Sequence, residues 1–399
     1  MFSKITDRIQ MYYFSWKSGL IAIICLYQIT LLYAQDLTPT FSNIDYTGHN
    51  DVKQKMDLYI PPGLSSPAPV IIFLHGGGWL VGGKGPENVP FFQLSYNSGF
   101  ICADVNYRLS TDSVWPAQIE DCKTAIRFLR ENAGTFNIDV CRFGVIGESA
   151  GGFLAAMLGT TAGINSFEGF HLGNAGQTSR VQAVIVLYAP IDFLREDGYY
   201  PTVCGTDGYY HEYMSYETNL LGIDYLHLHQ ELVNSANPMS YITPDDSPFF
   251  IAHGADDCIV PFNQSILLDN ALSASGIPAD TLIVAAWQIH SDPYFKEIAQ
   301  ATLYNKFFLK HLSAPCSSTG NSESVFQNVN VFPNPATNEI HIDLLSAVDF
   351  KAEIIDICGK TVLKAQNRNI IDISTLKGGI YFLRLISVSE ICTHKIIKL

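Results

Sequence analysis

Four stretches of this chain carry residues whose types and spacing suit acyl transfer. Gly147-Glu148-Ser149-Ala150-Gly151 fits G-x-S-x-G and lies where the apolar run Arg142 to Ile146 gives way to the small-residue run Ala150 to Leu158. A serine on so tight a strand-to-helix turn needs glycines beside it, because a Cβ there would collide with the neighbouring chain, and the turn lifts Oγ clear of the sheet. Taken alone, the pentapeptide also fits an ordinary turn serine. Upstream, His75-Gly76-Gly77-Gly78-Trp79 follows the run Val70 to Leu74. Consecutive glycines bare their N–H groups, and such donors stabilise the oxygen that becomes negative in a tetrahedral intermediate. Gly76, Gly77 and the N–H of Ala150 are the expected oxyanion hole, with Trp79 as pocket wall or core.

A serine hydroxyl is a poor nucleophile at neutral pH, so a histidine must take its proton and a carboxylate must orient that histidine. Both residue types stand downstream, in His253-Gly254-Ala255-Asp256-Asp257-Cys258 and in Trp287-Gln288-Ile289-His290-Ser291-Asp292. Each follows an apolar run, Phe249 to Ala252 and Thr281 to Ala286. The chain order Ser149, then Asp256 or Asp257, then His290 is the order used when nucleophile, acid and base sit on successive strand-end loops. Singly, His290 reads as a loop histidine and either aspartate as a helix-capping carboxylate; jointly with the glycine loop they read as a triad.

The elements that must position these loops are legible as short apolar runs separated by amphipathic ones, the pattern of parallel strands joined by helices. Val70–Leu74, Ile101–Val105, Arg142–Ile146, Val184–Leu187, Phe249–Ala252 and Thr281–Val284 read as strands buried on both faces. Ile119, Cys122, Ile126 and Leu129 recur at helical spacing after Pro116. The fold class is α/β, a mostly parallel central sheet flanked by helices, followed by a small antiparallel β-sandwich over residues 327–399. Its strands are expected around Glu339–Leu344, Ala352–Asp356 and Ile380–Leu385, and a Ser-rich linker over 314–326 precedes it. The catalytic unit is expected over 36–313. An apolar stretch from Gly19 to Tyr33, behind Lys17, reads as the core of a signal peptide over 1–35, leaving no membrane span after processing.

Composition narrows the partners. Hydrophobic residues at 47% against 16% charged exclude a disordered chain, and a formal charge of -14 gives no net positive field for a phosphate backbone. Nucleic acid is not an expected partner. The cysteines show no C-x-x-C, and no His-Glu-x-x-His helix exists, so no metal and no cofactor are expected; disulfides are open to an exported chain, with no pairing readable.

The motifs FLHGGGW, DVNYRLS, WPAQIEDCKTAIRFLRENA, RFGVIGESAGGFLAAML, ANPMSYI and HGADDCIVPFNQS, with the late His290, resemble the α/β-hydrolase superfamily. Within it the chain is similar to carboxylesterases of the hormone-sensitive-lipase type and to bacterial feruloyl and acetyl-xylan esterases, over roughly Lys55 to His311. The resemblance implies an α/β-hydrolase fold and selects Asp257 over Asp256, since the family's carboxylate stands four residues before the proline, here Pro261. Where the family often places glycine before the base, this chain has Ile289. VFPNPATNEIHIDL, DICGKTV, ISTLKGGIYFLRL and HKIIKL resemble the C-terminal sorting domain of type IX secretion, which implies the type IX machinery as a partner and a secreted or surface-attached protein reached via the periplasm. An accessory carbohydrate-binding sandwich is the alternative for this tail.

The expected function is a secreted serine carboxylesterase that works through an acyl-enzyme, with Ser149 as nucleophile, His290 as base and Asp257 as orienting acid, acting on an acetyl or feruloyl ester of a plant polysaccharide or its fragments. The segment from Ile191 to Tyr225, rich in Tyr199, Tyr200, Tyr209, Tyr210, Tyr213 and Tyr216, is expected to form a cap whose phenols stack on a sugar or phenolic group or simply pack the cap. Glu148, Asp104 and Arg108 read as structural. Rival readings are a peptidase of the prolyl-oligopeptidase type, for whose propeller the chain before the first strand is too short, and a non-catalytic surface protein on the same fold.

Overall fold

The computed structural model describes residues 37–197, 199–204, 213–277, 279–313, 329–343, 349–356, 360–386 and 391–399. The expected signal peptide, the linker, Tyr209 and Tyr210 lie outside these. The chain divides into two units, Met1–Cys316 and Ser317–Leu399.

The first unit is built on an eight-stranded sheet of order β1-β2-β4-β3-β5-β6-β7-β8. Its strands are β1 (Phe41–Asp45), β2 (Lys55–Tyr59), β3 (Ala68–Leu74), β4 (Ile101–Val105), β5 (Ile138–Glu148), β6 (Ala183–Leu187), β7 (Phe249–Gly254) and β8 (Thr281–Ala285). Strand β2 pairs antiparallel with both β1 and β4, and β3 through β8 run parallel. Every residue of β3 is buried, as its unbroken apolar run requires for a strand covered on both faces. Phe73 stacks on Phe91 of helix α1 (Val89–Asn97) at 4.9 Å between ring centroids. Truncating so deeply packed a ring typically costs about 3–5 kcal/mol.

Helix α2 (Ala117–Glu131) buries Ile119, Cys122, Ile126 and Leu129, the stripe its spacing predicts. Its polar side is buried as well, because Lys123 and Arg127 both pair with Glu168, and Asp121 takes Arg108 at 2.8 Å. These groups stay inside because each charge has its partner; breaking one such pair typically costs about 3–5 kcal/mol. Helices α3 (Ala150–Thr160), α4 (Tyr216–Leu221), α5 (Asn263–Ala274) and α6 (Ile298–His311) complete the elements used below. Strand β8 differs from expectation. It is the sheet's edge, and Val284 on it is 38% exposed.

The second unit holds two antiparallel sheets. One contains β9 (Asn330–Phe332), β10 (Glu339–Asp343) and β13 (Ile370–Asp372); the other β11 (Lys351–Asp356), β12 (Thr361–Gln366), β14 (Gly379–Ile386) and β15 (Ile391–Lys398). Ile340, Ile342 and Ile371 of the first share a core with Ala352, Ile354, Leu383 and Leu385 of the second, so alternation along each strand builds a sandwich. No helix among the described residues is long and apolar enough to cross a membrane.

Candidate active site

Strand β5 ends at Glu148 and α3 begins at Ala150, leaving Ser149 alone in the turn at φ 52°, ψ -120°. That strained conformation is kept because the chain crosses itself tightly there: a Cβ on Gly151 would lie 2.1 Å from the Leu74 carbonyl oxygen, and one on Gly147 would lie 2.0 Å from that of Gly151. The Ser149 N–H is held by the Leu187 carbonyl at 2.9 Å, which ties the turn to β6.

Ser149 Oγ lies 2.9 Å from His290 Nε2, and His290 Nδ1 lies 2.7 Å from Asp257 Oδ2. With Nδ1–H donated to the carboxylate, Nε2 is left to accept the serine proton. Of the two neighbouring aspartates, Asp257 is the one that meets His290. The Asp256 N–H instead donates to the Gln288 carbonyl at 2.9 Å and joins the β7 and β8 loops. Asp257 is fully buried, and its other oxygen accepts the N–H groups of Ile259 and Val260, each at 2.9 Å. Burial pushes this carboxyl's pKa up, but hydrogen bonds from His253 and His290 outweigh that and hold it well below the ordinary carboxylate range.

The glycine loop stands over the serine. Gly76, Gly77, Gly78 and Ala150 line one cavity with Ser149 and His290, about 360 Å³ in volume and therefore of small-molecule size. Two devices hold the loop: Tyr107 Oη donates to the His75 carbonyl at 2.7 Å, and its ring stacks on the His75 imidazole at 4.2 Å. Burial lowers the His75 pKa to about 4, so it is neutral at pH 7 and Nδ1–H is free to donate to the Gly76 carbonyl at 2.7 Å. Trp79 is both core and wall: it is buried, lines the cavity, and donates Nε1–H to the Ala150 carbonyl at 3.1 Å.

The segment between β6 and α4 contributes unequally. Tyr216 lines the cavity beside Glu217, and Gly78 sits beneath its ring so closely that a Cβ there would lie 2.3 Å from Tyr216 Cδ1. Tyr213 stacks on Tyr225 at 4.8 Å, and neither it nor Tyr199 lines the cavity. Cys204 from this segment is disulfide-bonded to Cys258, the residue after Asp257. No sequence signal identifies that pairing.

Three residues near the site escape the sequence reading. Glu148, read as structural, lines the cavity and accepts Tyr188 Oη at 2.6 Å. Tyr188, one residue past β6, sets its ring edge against His290 at 5.2 Å between centroids. His253, fully buried, lies 3.2 Å from the same Asp257 oxygen that His290 meets. Asp104 and Arg108 do serve the scaffold: Asp104 accepts the Gly85 N–H and the Asn88 amide, and Arg108 forks onto Asp121. Among the described residues no group of His, Cys, Asp or Glu is arranged to hold a metal ion.

Residues 56–272 match the protein-family model BD-FAE. The chain belongs to the BD-FAE family. Residues 330–399 match a second model, described as a secretion system C-terminal sorting domain. This BD-FAE chain is 30% identical over 217 residues to the esterase LipC of Mycobacterium tuberculosis, across 54% of the chain and 51% of that relative. It is 30% identical over 238 residues to the esterase LipQ of the same organism, across 59% and 53%. The chain thus spans about half the length of the curated relatives it matches. Among solved structures, a truncated carbohydrate esterase from gut microbiota superposes with TM-score 0.64 at 26% identity, covering 70% of this chain and 99% of that one. A bifunctional GH43-CE protein of Bacteroides eggerthii does so with TM-score 0.63 at 29% identity, covering 68% and 35%.

Proposed function

We propose that this BD-FAE protein is an exported serine esterase that removes acetyl or feruloyl groups from plant polysaccharides or their fragments. The observation that carries the reading is the continuous hydrogen-bonded line from Ser149 through His290 to Asp257, opening into a cavity lined by Gly76, Gly77 and Ala150. In this account the His290 nitrogen takes the serine proton as Oγ attacks the ester carbonyl, and the three amides receive the developing oxyanion. His290 then returns the proton to the leaving alcohol. Water, activated by the same imidazole, releases the acid and restores the serine. Asp257 keeps the imidazole in its Nδ1–H form and steadies the cation that forms on it.

Names of relatives and neighbours support ester hydrolysis, and the carbohydrate esterases among them support a sugar-bearing alcohol. The tail's match supports export through the type IX route to the medium or the cell surface. A panel of acetylated xylan, feruloylated arabinose, p-nitrophenyl acetate and proline-containing dipeptide amides tests the reading. Turnover of the esters, and its loss in Ser149→Ala, is expected. Turnover of the amides alone would replace this reading with a peptidase.

A further inference from the structure

We propose that His253 is a positioning residue for this reaction, donating its Nε2–H to the same Asp257 oxygen that receives His290 while Ser265 sets its tautomer. The inference rests on the serine-esterase reading and adds a second imidazole to it. His253 is the penultimate residue of β7 and is fully buried. Its Nε2 faces two acceptors, the Val260 carbonyl oxygen at 2.9 Å and Asp257 Oδ2 at 3.2 Å. A nitrogen between two acceptors must carry the hydrogen. Its Nδ1 lies 2.8 Å from Ser265 Oγ at the start of α5, and that hydroxyl is able to donate to it. The neutral Nε2–H form therefore satisfies both ring nitrogens without placing a second cation in the interior.

The consequence falls on His290. Asp257 Oδ2 is shared by two imidazoles, and a donor that draws on its electron density makes it a weaker acceptor for the other. His253 thus moderates the pull of Asp257 on the imidazolium that forms at His290 during the reaction, and removing His253 strengthens that pull. It also fixes the direction in which Oδ2 points. Other ionisable groups face this pair from neighbouring elements: Tyr188 at the end of β6, bonded to Glu148, and Tyr200 from the segment before α4. Burial holds both phenols neutral, so neither changes charge across the pH range in question. Asp256 lies next in sequence, with its N–H turned to Gln288.

The test is the pH profile of kcat/KM on p-nitrophenyl acetate for wild type, His253→Leu and His253→Gln. Leucine keeps the bulk and removes the donor; glutamine places an amide N–H near the former Nε2. For His253→Leu we expect kcat/KM to fall about tenfold or more with KM little changed, and the acid limb to move up by about half to one pH unit. His253→Gln should keep the wild-type limb and lose no more than a few-fold. An unmoved limb in His253→Leu, or the same shift in both variants, would overturn the proposal, since a space-filling histidine lowers stability without retuning His290. Should His253→Leu fail to fold, ¹⁵N NMR of the wild-type imidazoles decides: a hydrogen on Nε2 of His253 supports the proposal, and a neutral ring with its hydrogen on Nδ1 contradicts it. Failure of the esterase reading looks different, because wild type and Ser149→Ala would then turn over ester equally.

Discussion

The centre of the sheet and its edge hold their halves of the site by different means. The loops after β3 and β5 carry the glycine run and Ser149, and they are held by contact so close that glycine is required: Gly147, Gly151 and Gly78 each sit where a Cβ would meet another atom at 2.0–2.3 Å. The loops after β7 and β8 carry Asp257 and His290 toward the edge, where one such close contact, a Cβ on Gly254 lying 2.3 Å from the Gln288 carbonyl oxygen, is joined by a larger set of polar ties. There Asp257 is fixed by backbone N–H groups, two imidazoles and the neighbouring Cys204–Cys258 disulfide. The part that must resist strain is buried in the rigid middle. The part proposed to shift a proton sits where hydrogen bonds and a disulfide are added to close packing. Changes at the central glycines should therefore register first in stability, and loss of a hydrogen bond within the Asp257–His290 pair first in rate.

The largest effect that sharpens this contrast is expected at the edge. Asp257→Asn should lower kcat by on the order of 10⁴-fold through the wrong His290 tautomer, while circular dichroism reports an intact fold. Its stability signature follows from the depressed Asp257 pKa. The native state favours the carboxylate, so its contribution is present above about pH 4 and is lost as pH falls through the lower native value. The Tm difference between wild type and Asp257→Asn should accordingly shrink on acidification below about pH 4; a difference that grows instead would reverse the sign of the argument.

At the centre, Gly151→Ala should cost about 3 kcal/mol or more and lower Tm by several degrees, because the new methyl has backbone on its far side. A variant with wild-type Tm but absent turnover would break the division proposed here. Removing the disulfide as Cys204→Ser with Cys258→Ser should cost about 2–4 kcal/mol and only a few-fold in kcat/KM, since Asp257 keeps its hydrogen bonds. The smallest effect concerns His75. Its native pKa of about 4 means that the unfolded chain binds the proton first, so stability is full above about pH 6.5 and declines as pH falls toward 4. Between pH 7 and pH 6 that loss is somewhat under about 1 kcal/mol, and His75→Gln should flatten it in thermal melts.

How much of this was legible follows from which physics is local. Strands β3 to β7 announce themselves because the stretch of each that is covered on both faces is mostly apolar. β2, Lys-Met-Asp-Leu-Tyr, does not, because Asp57 interrupts the run and is accommodated only by its contacts with Lys84 and the Asn43 N–H. The meeting of Ser149, Asp257 and His290 could be expected from motif order, since parallel strands deliver their following loops to one end of a sheet. His253, Tyr188 and the Cys204–Cys258 pairing could not. Their significance lies in which side chain faces which across adjacent strands, and nothing at their own positions encodes that. The partner of Glu148 is equally unreadable, since Tyr188 reaches it from the end of the neighbouring strand β6.

The central claim is that Ser149 Oγ forms the covalent intermediate, and the most direct measurement is mass spectrometry of the intact protein after exposure to diethyl p-nitrophenyl phosphate, with the released p-nitrophenol counted. The account predicts one diethylphosphoryl group per chain, located on Ser149, stoichiometric p-nitrophenol, and no labelling of Ser149→Ala. A fully active protein that remains unmodified at Ser149, or that carries the label on another residue, would contradict it.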